Sequence, residues 1–347
     1  MKFLIYALLL IALVIASGFL YTLLSGLKNQ KWYNKPPAEG NYIDFKGLKL
    51  YYREKGKNGA TVVVINAIGS SQAEWWKIQN DIGLRNRMIT WDRTGYNRSC
   101  RKDLSGSSKE VHRDSLNQKD TAKATAEELN IILKFKKIRK PVILVANHTG
   151  ILLALYYAKT FPENVAGMIL VNPFPLRYSD FINDIKDIDE CPDPLEIIDK
   201  NYSKATKGLF RMLSPYKGYR LDRRYLKHII EHYSKVENYE TMKLETSAIN
   251  DIIDEINNAD PFPKIPVRVL YPASEPLIRD FVRSGINEYS SRRLQRVYEQ
   301  YSSDLINLTP ETTSLEVAKA GEYIHISKPD IIVHEINNMI MNNKKKL

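Results

Sequence analysis

Cysteine is nearly absent from this chain. Cys100 and Cys191 are the only two in 347 residues, and they lie far apart. That excludes a disulfide framework and a cysteine-based metal motif, while leaving open whether the two pair. No internal repeat is visible. Acidic residues are in deficit, 40 against 51 lysines and arginines, for a net charge of +11. The cations are spread along the chain and no nucleic-acid-binding module can be recognised, so no nucleic-acid partner is expected. Anionic membrane or cell-wall polymers are a plainer use of the charge. With 44% hydrophobic and 26% charged residues, the chain fits one large α/β domain with an insertion.

Charge is missing altogether from one stretch. Phe3 to Leu24 is a near-continuous apolar run, about the ~20 residues that span a bilayer. Lys2 precedes it; Lys28, Lys31 and Lys35 follow. A cleaved signal peptide is the alternative, with Val14-Ile15-Ala16 as a small-residue cleavage site. Against it, Phe19-Leu20-Tyr21-Thr22-Leu23-Leu24 keeps the run apolar well past that site. The expectation is an uncleaved, single-pass transmembrane anchor over residues 1–27. Lysine counting does not orient it; the signal-like start favours an extracytoplasmic domain. Residues 28–41, with Trp32, Tyr33 and Pro36-Pro37, read as an interfacial linker. Lys344-Lys345-Lys346 reads as a solvated tail, 342–347.

Short β-branched or apolar runs recur at Val62–Ile65, Met88–Trp91, Val142–Val145, Met168–Val171 and Val267–Tyr271. They alternate with helix-like segments, which predicts a mostly parallel sheet with crossover helices. Thr121–Lys137 is an amphipathic helix pattern, with Ala124, Leu129, Ile132, Leu133 and Phe135 marking the side to be buried. Residues 174–262 break the alternation. They are helix-like and rich in tyrosine and charge, with Asp-Glu-Cys-Pro-Asp-Pro at 189–194 as a breaker.

The densest information lies in 142–173. Val142–Val145 leads into Ala146-Asn147-His148-Thr149-Gly150, then an apolar helix pattern, then Met168–Val171. Strand, sharp turn, helix, strand is the layout of a nucleophile elbow. The stretch resembles the Gly-His-Ser-x-Gly-Gly block of the α/β-hydrolase superfamily. Four other blocks resemble the same superfamily, in its order. Residues 42–76 match its opening hairpin and the strand feeding the oxyanion loop, here Asn66-Ala67-Ile68-Gly69. MITWDRTGYNRS (88–99) matches Asp-x-x-Gly-x-Gly-x-Ser, with Asn97 in place of the middle glycine. PVRVLYPASEPLI (266–278) resembles the strand carrying the catalytic acid, and AGEYIHISKPDIIVHEI (320–336) the block carrying the catalytic histidine. The resemblance, nearest the prolyl-aminopeptidase and epoxide-hydrolase-like branches, implies an α/β-hydrolase fold. Its core would occupy 42–173 and 263–341, with a helical cap at 174–262.

Carried over residue by residue, the resemblance puts His148 at the nucleophile, Glu275 at the acid and Glu322 at the catalytic histidine. Ala67, Ile68 and Thr149 fall in the oxyanion machinery. That mechanism needs a hydroxyl or thiol, an imidazole to take its proton and a carboxylate to orient the imidazole. No serine, cysteine or aspartate stands at the elbow tip. Ser70 and Ser71 lie in the oxyanion loop, with nothing to place either beside a base. The preferred reading is a degenerate triad on a non-hydrolytic domain that binds a small hydrophobic molecule or a protein partner, with no cofactor. The alternative is a cap-gated hydrolase or lyase of small esters, amides or peptides using non-standard residues. One imidazole with carboxylates could also move protons, its pKa raised by them, or hold a metal, but no metal is expected. His228 and His232, at helical i, i+4 spacing, read as cap-packing residues. Trp75-Trp76 reads as packing at a helix start. Asp92 and Arg93 match a structural turn of the superfamily. His112 and His334 fit no pattern, and His325 matches its second, non-catalytic histidine.

Overall fold

The computed structural model describes residues 2–33, 39–102, 110–111, 121–211, 215–216 and 218–347. Helix α1 spans Lys2–Tyr33. Strands β1 (Asn41–Phe45), β2 (Leu48–Lys55) and β3 (Thr61–Ile65) open the domain, followed by α2 (Trp76–Ile82), β4 (Arg87–Trp91), β5 (Cys100–Lys102) and β6 (Glu110–Val111). Then come α3 (Thr121–Phe135), β7 (Val142–Asn147), α4 (Gly150–Thr160) and β8 (Val165–Val171). Five helices intervene: α5 (Tyr178–Ile185), α6 (Pro194–Thr206), α7 (Arg223–Tyr233), α8 (Glu237–Ser247) and α9 (Ile249–Asn258). The chain closes with β9 (Val267–Pro272), α10 (Ser274–Ser284), α11 (Glu288–Ile306), β10 (Thr312–Val317), α12 (Ile324–Ser327) and α13 (Pro329–Asn342).

Among the described residues the strands form one sheet in the order β10-β9-β8-β7-β3-β4-β2-β5-β6, with β1 on β2. The run from β10 to β4 is parallel, and the pairings at the β1, β2, β5 and β6 end are antiparallel. This is the mostly parallel sheet, flanked by helices, of the α/β-hydrolase fold. Successive side chains of a strand point to opposite faces. Val63, Ile65, Leu144, Ala146, Met168 and Leu170 therefore pack with α3, α4 and α9. Val62, Val64, Ile143, Val145, Ile169 and Val171 pack with α2 and α13 on the other side. Burial on both faces is why these strands read as unbroken apolar runs.

Some expectations are corrected. Phe135 ends α3 at 54% exposed instead of on the buried side. Residues 28–33, read as linker, continue the helix, since no breaker comes before Pro36. Strand β10, TTSLEV, carries too little apolar residue to have been read as a strand; it lies at a sheet edge with only Val317 buried. The transmembrane span is not met among the described residues, where no helix is long and apolar enough to cross a membrane. His112 and Pro36-Pro37 lie outside the described residues.

The inserted helices sit close on the core. Gly69 and Gly95, both at positive φ, allow Met242 and Thr241 of α8 to approach where a Cβ would collide. Beneath them Arg93 donates through both terminal nitrogens to Glu245 of α8, Nη2 to Oε2 at 2.9 Å, and both side chains are buried. Tyr96 Oη donates to the same carboxylate at 2.6 Å. Asn97 N–H donates to Asn238 Oδ1 at 2.8 Å, and Thr241 Oγ1 to Gly95 O at 3.0 Å. Asn97 fills the glycine position of the 92–99 turn at φ 48°, a left-handed conformation asparagine tolerates. Glu245→Ala would strand the Arg93 guanidinium in the interior. Urea unfolding of the full chain should show a loss of about 3–5 kcal/mol, and adding Arg93→Met should restore most of it.

Candidate functional site: the elbow and the loop above it

The turn between β7 and α4 is sharp because two residues permit it. His148 sits at φ 46°, a left-handed conformation in which histidine is enriched among non-glycine residues. Its N–H donates to Val171 O at 3.0 Å, and its carbonyl accepts from Ile151 N–H at 2.9 Å. Gly150 then passes under the loop after β3. A Cβ there would lie 2.5 Å from Ile65 O and 2.7 Å from Asn66 O. The elbow backbone predicted from the sequence is thus present, pressed against the loop expected to hold an oxyanion.

That loop's donors are already engaged. Ala67 N–H donates to Asn147 Oδ1 at 3.1 Å, and Ile68 N–H donates to Thr149 Oγ1 at 2.7 Å. Gly69 N–H reaches Tyr96 Oη at 3.3 Å, and its carbonyl accepts from His232 Nε2–H at 2.9 Å. Ser71 caps the following turn: its Oγ accepts from Ala73 N–H, and its N–H donates to Glu74 Oε1 at 2.7 Å. Ala67, Ile68 and Thr149 are therefore brought together, bonded to the elbow itself.

The triad positions are not joined. The half-buried His148 imidazole stands edge-on to Phe174, centroids 4.9 Å apart at 81°. Desolvation alone lowers its pKa to about 4, the reverse of the rise expected from neighbouring carboxylates. Glu275 lies in the first turn of α10 with its side chain 62% exposed, and its Oε1 accepts from Arg292 Nη1 at 2.9 Å. It opens an outward-facing helix and does not reach the elbow. Glu322 is held through its N–H, which donates to Asp280 Oδ2 at 2.9 Å. Gly321 is needed there, because a Cβ would meet that same oxygen. Burial raises the Glu322 carboxyl to about 7; the Asp280 charge also raises it, and a hydrogen bond with Tyr323 opposes the rise. Among the described residues, no hydrogen bond or ion pair joins any two of His148, Glu275 and Glu322, and no three His, Cys, Asp or Glu side chains gather as a metal site.

Two polar clusters escaped the sequence reading. Glu74 is buried and accepts from His325 Nε2 at 3.1 Å and from Tyr233 Oη at 3.2 Å, while Trp75 stacks on the His325 ring at 4.8 Å. The Ser-x-x-Glu capping signature at Ser71–Glu74 was the available signal. Asp92 is the second: burial lifts its carboxyl to about 7, opposed by the Asn97 amide that donates to it at 2.9 Å. His232 is buried in α7 with Nδ1 unpartnered, and His228 tilts over Trp76 at 4.8 Å. Trp75 and Trp76 are fully buried around the start of α2.

No family model matches the chain. An uncharacterized protein of Bacillus subtilis strain 168, YqjL, is 27% identical over 119 residues, 34% of this chain and 42% of that protein. The chain therefore matches less than half of that relative's length. Solved structures align over most of it. The N-formylmaleamic acid deformylase of Pseudomonas putida S16 shares 14% identity at a TM-score of 0.54, covering 86% of this chain and 100% of its own. A carboxylesterase structure from Nitrososphaera gargenis gives 14% and 0.55, over 88% and 100%. The enol-lactonase of Burkholderia xenovorans LB400 gives 14% and 0.51, over 87% and 100%. At such identities the likeness establishes the α/β-hydrolase fold.

The raised Glu322 and Asp92 carboxyls bind their protons more tightly folded than unfolded. Their contribution to stability is full below the unfolded pKa of about 4 and is lost as pH rises through about 7. The lowered His148 contributes above about 6.5 and loses that as pH falls through about 4. Glu322→Gln should therefore gain on the native chain between pH 5 and pH 8, by about 1–2 kcal/mol, in urea unfolding at the two values.

Proposed function

We propose that this chain is an α/β-hydrolase-fold protein that binds a small apolar molecule or a protein partner without hydrolysing it, and that α1 holds it at a membrane. One observation carries the non-hydrolytic reading. Ile68 N–H, at an oxyanion position in the resemblance, is occupied by Thr149 Oγ1 at 2.7 Å. A donor already satisfied inside the protein is not free to meet charge developing on a substrate. The elbow imidazole supports the same reading, being neutral, desolvated and without a carboxylate partner. Phe174, stacked on Tyr178 at 5.3 Å, supplies an aromatic wall beside it, which suits an apolar ligand.

The membrane part rests on the uncharged run Phe3–Leu24. Exposed apolar side chains along α1, Phe3 at 87% and Ile15 at 67% among them, support it. An extracytoplasmic domain follows from the signal-like start. The names of the fold neighbours, a deformylase, an esterase and a lactonase, favour the hydrolase alternative, and the test separates the two.

The full chain in neutral detergent should take no label from a fluorophosphonate probe and should cleave p-nitrophenyl butyrate no faster than His148→Ala. His148→Ser should stay unlabelled, because no base stands beside it. His148→Ser with Glu322→His should also stay inactive until Thr149→Ala frees Ile68 N–H, a donor of a kind worth roughly 10²–10³ in rate. Labelling of the unaltered chain at one serine would replace this reading with that of a hydrolase.

A further inference from the structure

Helix α3 ends in a turn in which Lys137 N–H donates to Lys134 O at 3.1 Å and Ile138 N–H to Leu133 O at 2.9 Å. Lys137 takes φ 54°, at the position where helices most often place glycine. A cation is thus kept where another residue fits the backbone better. Lys134, Lys137, Arg139 and Lys140 are all exposed around a concavity of about 500 Å³. Among the described residues none of the four side chains has an ion pair or a hydrogen-bond acceptor, whereas Lys136 between them pairs with Glu54. Glu163, an exposed acid on the neighbouring turn, pairs with none of them. Asn130 lines the same concavity; its Oδ1 accepts from Tyr157 Oη at 2.7 Å, which leaves its amide N–H groups to donate.

Lysines on a last helical turn are often there for the helix dipole. That accounts for Lys134 and Lys137, but Arg139 and Lys140 lie beyond the helix. A cluster of unpaired cations is what the phosphates of an anionic lipid interface attract. Strand β1 begins near the end of α3: it starts at Asn41, opposite Tyr52, and Lys136 Nζ stands 5.4 Å from the Tyr52 ring centre.

We propose that this basic concavity docks the domain onto the phosphates of anionic lipid headgroups. The proposal rests on the membrane reading given above and adds a second, electrostatic contact to it. The test uses the full chain in vesicles of phosphatidylcholine alone and of equal phosphatidylcholine and phosphatidylglycerol. Lysine acetylation is read by mass spectrometry. Lys134, Lys137 and Lys140 should label roughly threefold or more slowly on the anionic vesicles, and high salt should abolish the difference. Lys200 of α6, exposed and distant in sequence, should label equally on both. Equal labelling of the three lysines on both vesicles overturns the proposal. So does equal protection by inorganic phosphate in detergent, which would mark a site for the free anion. Flotation on the neutral vesicles after an alkaline wash reports α1 separately. If flotation fails while the lysine protection persists, the tether falls and the headgroup contact stands.

Discussion

The closeness of the β7–α4 turn to the loop after β3 constrains everything built above the sheet. Gly150 has carbonyl oxygens where a side chain would begin, so the two segments cannot separate or slide without losing the turn. Asn147 and Thr149, on either side of the tip, are then within reach of Ala67 and Ile68 N–H. Buried backbone donors have to be paired. In a working oxyanion hole those donors wait for a substrate or for water. Here two side chains from the elbow, Asn147 and Thr149, accept from them.

The inserted helices are fixed by a different interaction. A guanidinium and a carboxylate buried together gain little net stability over an apolar pair, yet either is costly alone. Arg93 and Glu245 therefore act as a registry device: α8 has one seat on the 92–99 turn, and Tyr96 and Asn97 complete the hydrogen bonding around it. The superfamily pattern kept in the 92–99 turn thus has a packing role in this fold. Its residues serve the closure of the roof over the sheet.

Much of the fold was legible because it follows local rules. The five apolar runs all became strands, displaced by a few residues at most, since burial on both faces leaves little polar within them, Thr90 in β4 and Arg268 in β9 excepted. His148 and Gly150 were located at the elbow by pattern alone, and the structure keeps the backbone that pattern requires. What was not legible depends on partners far along the chain. Glu245 is one acid among many in a charged helix, and only its meeting with Arg93 distinguishes it. Glu275 matches a motif yet opens a helix that faces outward. Phe135 fits the apolar periodicity of α3, but the helix ends there and the ring passes beyond the cover of the sheet. Strand β10 was missed because an edge strand needs little apolar surface.

Arg93 and Glu245 are 152 residues apart, and that spacing bears on the order of assembly. At about 5–20 residues per second, a ribosome needs roughly 8–30 seconds to deliver the carboxylate after the arginine has been made. Until then Arg93 lacks this partner, and once β8 is made it has no β9 to pair with until residues 267–272 follow. The half-sheet β4-β3-β7-β8 thus ends at an open parallel edge while the inserted helices are still being synthesised. Such an edge invites pairing with another chain until β9 covers it.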